Sequence, residues 1–194
     1  LLTDAQRERV KAINTEMVSL TTEFAQTVRE ATNNQPLIVD TREELAGLSD
    51  SAIDAAAALA TEKGFDGKYA IALQNTTQQP LSPNLENRSV RERLFKLSAY
   101  RADQPDGFDT RLIVARIAAL RAEKAELFGK PNWAAYIMQD NMANEPKLAL
   151  DFMEQMIPAL AATQRREAEV LNQRIAQDGH EFTVQPWDWY HYSE

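Results

Sequence analysis

Residues 3–28, TDAQRERVKAINTEMVSLTTEFAQTV, contain the pattern that decides the fold. Thr3 and Gln6 have the spacing of a capping box, in which each side chain bonds a backbone N–H of the other residue. Apolar side chains then recur every three or four positions, at Val10, Ile13, Met17, Leu20, Phe24 and Val28. This stretch predicts a long amphipathic helix that packs its apolar face against other helices.

Signals for helix starts and ends continue along the sequence. Two further pairs have capping-box spacing, Thr41 with Glu44 and Ser89 with Glu92. Residues 51–63 are rich in alanine, and Gly64 follows them. Because glycine tolerates a left-handed backbone, Gly64 marks the end of that helix.

Two longer helices are expected in the second half of the chain. Asp109 is placed to cap the first of them, which ends before Gly129. The second begins near Pro146. Its apolar positions Phe152, Met156 and Leu160 predict a stripe that is buried against the rest of the protein.

These signals predict an all-α fold, as a single helical domain over residues 1–194. At most one short segment, near 69–75 and running on into the polar residues 74–79, is strand-like, and Pro80 and Pro83 end it. A helix over 146–178 would be about 50 Å long at 1.5 Å per residue. A compact globule of this size is only about 42 Å across. We therefore expect an elongated slab of long antiparallel helices.

The composition narrows the classes of function. The chain has 21 Lys and Arg against 29 Asp and Glu, which gives a net charge of −8. An acidic protein is a poor nucleic-acid binder, because phosphate contacts need basic side chains. We also expect no membrane span, since the sequence contains no apolar run of about 20 residues. Cysteine is absent from the sequence, which excludes disulfides and thiolate ligands.

The two histidines are the candidate metal ligands. The segment His180-Glu181-Phe182-Thr183-Val184 begins like the zinc motif H-E-x-x-H, but Val184 stands where the second histidine is required. His191 and Glu194 are three positions apart and would hold a metal only with ligands from elsewhere. The favoured interpretation is a solvated loop histidine, so the sequence predicts no catalytic, cofactor-binding or metal-binding residue.

The most unusual local composition is the aromatic segment 185–192, Gln-Pro-Trp-Asp-Trp-Tyr-His-Tyr. Aromatic side chains with polar tips suit partly hydrated interfaces. Two interpretations are open for Trp187, Asp188, Trp189 and Tyr190. They pack against a following domain, or they line a peptide-binding channel.

The ends of the chain suggest a piece of a larger protein. The sequence begins at Leu1 without a methionine and ends within the aromatic segment. We therefore expect an excised part of a longer polypeptide. The alternative is a free-standing helical module that binds another protein through an exposed face.

Several stretches resemble the thimet oligopeptidase and neurolysin family of zinc metallopeptidases, and in particular its peptidyl-dipeptidase branch. The matching stretches are residues 44–49 (ELAGLS), 73–80 (LQNTTQQP), 117–129 with Leu120-Arg121-Ala122, Met142-Ala143 before Pro146, and 185–189 (QPWDW). The similarity runs in order through essentially the whole chain.

The resemblance implies a helical enzyme of two halves that flank a narrow channel and cleave short peptides. The dipeptidase branch releases dipeptides from the C-terminus. Its zinc is held by an H-E-x-x-H helix and a further glutamate, none of which matches a position in this chain. The resemblance thus implies that the chain is most of the non-catalytic N-terminal half, forms one channel wall and is inactive alone. Residues 185–194 would begin the crossover toward the missing C-terminal zinc domain. The family also implies a cytoplasmic location, with the periplasm left open.

Overall fold

The computed structural model describes residues 2–193, and α-helix dominates it. The elements are α1 Asp4–Asn34, β1 Leu37–Val39, a 3-10 helix Glu43–Leu45, α2 Asp50–Glu62, β2 Tyr69–Ile71, α3 Asn75–Leu81, α4 Arg88–Ala99, α5 Arg111–Leu127, α6 Trp133–Met138, α7 Pro146–Gln177 and α8 Trp189–Tyr192. The all-α class expected from the sequence is confirmed. The described residues pack as two compact units, one from 2–28 with 105–164 and one from 29–104 with 165–193.

The first unit is built on an antiparallel pair, α1 and α5. Arg9 near the start of α1 bonds Glu123 in the last turns of α5, with 2.7 Å between Nη2 and Oε2. Glu16, two turns further along α1, bonds Arg116 nearer the start of α5, with 2.6 Å between Oε1 and Nε. Position rises along one helix as it falls along the other, so the helices run in opposite directions. The buried side chains of this unit include Ile13, Ile113, Leu120 and Ala125.

The stripe predicted to be buried on α7 is exposed. Phe152 is 62% exposed, Met156 38% and Leu160 62%. Their neighbours Leu148, Met153 and Ile157 are exposed as well. The prediction of burial was therefore wrong for the described chain, because periodicity identifies an apolar face but does not say what covers it.

The second unit contains a two-stranded antiparallel sheet with α2 and α4 packed against it. Leu37 pairs with Ile71, and Val39 pairs with Tyr69. The strand expected near 69–75 is confirmed as β2, whereas β1 was not expected. A three-residue apolar run is too short for periodicity to separate strand from helix. The core around the sheet comprises Leu37, Val39, Leu45, Ile53, Ala56, Ile71, Leu73, Leu85, Val90 and Leu94.

Two of the three predicted capping boxes form. Thr3 and Gln6 exchange bonds of 2.8 and 3.2 Å, and the Thr41 and Glu44 bonds are 3.1 and 3.4 Å. The third prediction was wrong, because α4 begins at Arg88 and its cap is Asn87. The Asn87 side chain accepts from the Val90 N–H at 3.3 Å. Asparagine caps at least as well as serine, and the earlier cap extends the helix.

Of the polar residues 74–79, which were expected to continue the strand, 75–79 lie in α3 instead, and Gln74 precedes this helix as its N-cap. Gln78 on this helix is buried. Its amide donates to the Leu73 carbonyl at 2.9 Å and meets the Ser98 hydroxyl at 3.0 Å. This buried amide fixes α3 against the end of β2 and against α4, which composition alone does not reveal.

Candidate functional site

The aromatic segment is attached to α4 through a buried carboxylate. Asp188 is fully buried. It accepts hydrogen bonds from Arg88 at 2.9 Å, from Arg91 at 3.1 Å and from the Gln185 N–H at 3.1 Å. Residues three positions apart on a helix lie on the same face, so Arg88 and Arg91 approach the carboxylate together. We call these three side chains the Asp188 cluster.

Arg91 is held on both sides of its guanidinium group. Its Nη1 donates to the backbone carbonyls of Leu85 at 2.8 Å and Glu86 at 2.9 Å, whereas Nη2 faces Asp188. Only 4% of the residue is exposed. A charge this deeply buried is stable only when it is paired and hydrogen-bonded, and these contacts supply partners for both terminal nitrogens of the guanidinium group.

Aromatic rings surround the cluster. The Arg88 guanidinium lies 4.0 Å from the centroid of the Phe182 ring. Trp187 contacts Phe95 on α4, with 6.0 Å between ring centroids, and the Lys96 ammonium lies 5.4 Å from the Trp187 ring. These contacts fix the start of the segment against α4, because cation–π and aromatic pairs add to the apolar area that is buried.

The four residues singled out from the sequence have different environments. Asp188 is enclosed by its own chain, so its direct role is to hold the segment in place. Trp189 is half-buried and lines a surface hollow with α7 residues that include Val170 and Arg174. Tyr190 is 60% exposed. The expectation that Trp187, Asp188, Trp189 and Tyr190 line a peptide channel or a domain interface stays a prediction.

The two histidines do not come together on a shared ligand site. His180 is exposed and stacks on Phe182, with 5.3 Å between ring centroids. The Nδ1–H of His191 donates to the Pro83 carbonyl at 2.7 Å. Burial lowers the pKa of His191, and the nearby positive charge of Arg91 lowers it further. Glu194, the predicted partner of His191, lies outside the described residues.

The zinc implied by the sequence resemblance does not fit the side chains of residues 2–193. Among them there is no group of three or more His, Cys, Asp or Glu placed to hold a metal ion. A catalytic zinc site needs three such ligands. We therefore derive no chemical step at a metal from this part of the protein.

Sequence reasoning missed Arg88 and Arg91. Arg91 directly follows the buried Val90 and precedes the buried Leu94 by three positions, so it lies on the apolar side of α4. An arginine at such a position signals a buried partner of opposite charge. The sequence offers many acidic candidates, and only the structure selects Asp188.

None of the helices within 2–193 has the length and apolar character that crossing a membrane requires.

The sequence matches known peptidases. Residues 83–194, which include α4 and the aromatic segment, match the model of peptidase family M3. The whole chain is 40% identical to dipeptidyl carboxypeptidase of Escherichia coli (strain K12) and 41% identical to that of Salmonella typhimurium, and covers 28% of each protein. Over 97% of its length it is 32% identical to oligopeptidase A of Escherichia coli, again covering 28%. The chain thus spans less than a third of these relatives. The chain belongs to peptidase family M3.

Proposed function

We propose that the chain is the non-catalytic N-terminal part of a zinc-dependent peptidase that releases dipeptides from the C-terminus of short peptides. The observation that carries this proposal is the alignment of the whole chain with dipeptidyl carboxypeptidases. Identity to these relatives is higher than identity to the oligopeptidases A, which favours the dipeptide-releasing branch. We place the parent enzyme in the cytoplasm by analogy with the family.

In this proposal the zinc is bound by a part of the enzyme outside this chain. The donor set supports that assignment, since among residues 2–193 there is no group of three or more His, Cys, Asp or Glu placed to hold a metal ion. The chain then contributes one wall of the channel that admits short peptides. Its helices supply rigidity and exclusion of folded substrates rather than reacting groups.

The partner of the chain in this proposal is the polypeptide that corresponds to the rest of the relatives. The exposed apolar face of α7 supports this assignment; its residues are Leu148, Phe152, Met153, Met156, Ile157 and Leu160. Contiguous apolar surface of this kind marks an interaction site. The relatives are more than three times longer than this chain, so they supply enough polypeptide to cover the face.

Zinc analysis of the purified chain tests the proposal. After dialysis against zinc, we expect far less than one zinc per chain and no peptide hydrolysis. The matched controls are His180→Gln and His191→Gln, which should leave the zinc content unchanged. One zinc per chain that is lost in either variant, together with peptide cleavage that a chelator stops, would contradict the proposal.

The alternative of a free-standing interaction module uses the same face of α7. The two hypotheses predict different sequences downstream of this chain in the gene. An H-E-x-x-H motif in the same reading frame downstream supports the peptidase, and a stop codon shortly after Glu194 supports the module.

A further inference from the structure

The large apolar side chains of α7 between residues 148 and 160 form a wide stripe. An α-helix turns by about 100° per residue, so each side chain has a defined direction around the helix axis. All of these side chains lie within an arc of about 200°. They are Leu148, Leu150, Phe152, Met153, Met156, Ile157 and Leu160. Each of them is at least 38% exposed.

Leu148 and Leu150 are the two edges of the stripe. They are two positions apart in the sequence, which places them about 200° apart across the stripe. Each is 52% exposed, so the described residues leave both edges equally open. A helix that packs one side against its neighbours has an apolar stripe of about 100° or slightly more. The stripe on α7 is about twice as wide as that.

The remaining arc of about 160° is polar. It carries Lys147, Asp151 and Glu154, and the Lys147 ammonium lies 2.6 Å from Oδ1 of Asp151. Pro158 also lies on this arc, and proline has no N–H, so the Glu154 carbonyl loses its usual helical partner. Water satisfies that carbonyl as long as this arc faces solvent.

We propose that α7 lies in a groove between two secondary-structure elements of the polypeptide that completes the parent enzyme. This inference rests on the proposed function, which assigns the apolar face of α7 to that polypeptide. One element covers the Leu148 edge and the other covers the Leu150 edge, while the polar arc stays in solvent.

Two other occupants fit the stripe less well. A second copy of α7 would supply one helix, which leaves one edge exposed. A membrane surface favours Lys and Arg on the polar face, whereas Lys147 stands there against Asp151 and Glu154. The relatives are more than three times longer than this chain, so they supply enough polypeptide for two elements.

Thiol labelling tests the two edges separately. The variants are Leu148→Cys, Leu150→Cys and Glu154→Cys, and the native chain has no cysteine. Each is made in the isolated chain and in a hybrid, in which this chain replaces the matching 28% of Escherichia coli dipeptidyl carboxypeptidase. The hybrid without an introduced cysteine gives the background, and cooperative unfolding in urea confirms that each variant is folded.

We expect Leu148→Cys and Leu150→Cys to react with a maleimide about tenfold more slowly in the hybrid than in the isolated chain. Glu154→Cys, on the polar arc, should react equally fast in both. Hydroxyl-radical footprinting of the hybrid without substitutions should protect both leucines, which separates the effect of the groove from that of the substitutions. In the isolated chain, labelling should not depend on chain concentration or on added phosphatidylglycerol vesicles.

Slower labelling at one edge alone would overturn the groove but leave the apolar face assigned to the partner polypeptide. Unchanged labelling at both edges of a folded hybrid would overturn the groove and that assignment together. Equal slowing of Glu154→Cys would also overturn the groove, because α7 would then be enclosed on all sides. Slower labelling of the isolated chain at high concentration or with vesicles would assign the stripe to a second copy or to a membrane instead.

Discussion

Asp188 and Arg91 are 97 positions apart in the sequence and form a buried ion pair, with 3.1 Å between Oδ1 and Nη2. Neither side chain is more than 3% exposed. The contact joins the aromatic segment to α4, so it closes a long loop of the chain. Arg88, about one helical turn before Arg91, also forms an ion pair with Asp188, and its side chain is 32% exposed.

Replacing Asp188 with asparagine should strongly lower the free energy of unfolding of the chain. The substitution keeps the shape but leaves the buried Arg91 without its counter-charge. Breaking a buried pair in this way costs about 3–5 kcal/mol. Urea unfolding measures the change. Asp178→Asn is the control, since Asp178 forms an exposed ion pair with Arg174 at 3.8 Å and should change stability by less than about 1 kcal/mol. Equal stability of the two variants would argue against a structural role for the Asp188 cluster.

Gly47 is required for a close backbone contact. Its φ is +87°, and an added Cβ would lie 1.9 Å from the Asn84 carbonyl oxygen. Gly47→Ala must therefore displace backbone, which costs more than the roughly 1 kcal/mol that a left-handed residue costs. Gly67→Ala is the matched control, with φ of +79° and nothing within 4 Å of the added Cβ. We expect a clearly lower melting temperature for Gly47→Ala than for Gly67→Ala, and equal melting temperatures would refute the contact.

His191 should make the chain less stable in mild acid. Its pKa is lowered below the ordinary value of 6.5, first by burial and then by Arg91, against opposing effects of the Pro83 carbonyl, Asp188 and Glu86. The unfolded chain therefore binds a proton at a higher pH than the folded chain. This contribution to stability is present above pH 6.5 and is lost as the pH falls through the folded pKa.

Urea midpoints at pH 7.5 and pH 5.5 check the effect of His191. The loss of stability between these values should be smaller in His191→Gln than in the native chain. His180→Gln, which alters the exposed histidine, should behave like the native chain. The explanation fails if His191→Gln keeps the full dependence on pH.

The apolar face of α7 should matter only when the partner polypeptide is present. Phe152 is 62% exposed, so Phe152→Ser should change the stability of this chain alone by less than about 0.5 kcal/mol. In a hybrid with the rest of an M3 peptidase, burial of the ring makes the same change cost about 3 kcal/mol. Glu154→Ala on the same helix is the control. An equally small effect of Phe152→Ser in the isolated chain and in the hybrid would show that this face is not part of the interface.

Local sequence signals predicted where the helices lie better than they predicted which residues the helices pack against. The capping boxes at Thr3 and Thr41 form because their partners lie three residues away, and the sequence displays both members. The start of α4 was placed too late because Asn87 and Ser89 are both good caps, and only packing decides between them.

Contacts between distant residues could not be predicted in this way. Strand β1 depends on its pairing with β2, and Asp188 depends on two arginines about a hundred positions earlier. The exposed stripe of α7 shows the same limit. Its periodicity gave the correct helix and the correct apolar face, but whether that face is covered depends on packing elsewhere.

The most direct test of the central claim is the activity of a hybrid enzyme. In it, this chain replaces the matching 28% of Escherichia coli dipeptidyl carboxypeptidase. The measurement is the release of dipeptides from a short peptide, with and without a zinc chelator, alongside the isolated chain. We predict release by the hybrid that the chelator abolishes, and none by the isolated chain. A cooperatively folded hybrid without activity, or chelator-sensitive cleavage by the isolated chain, would contradict the account.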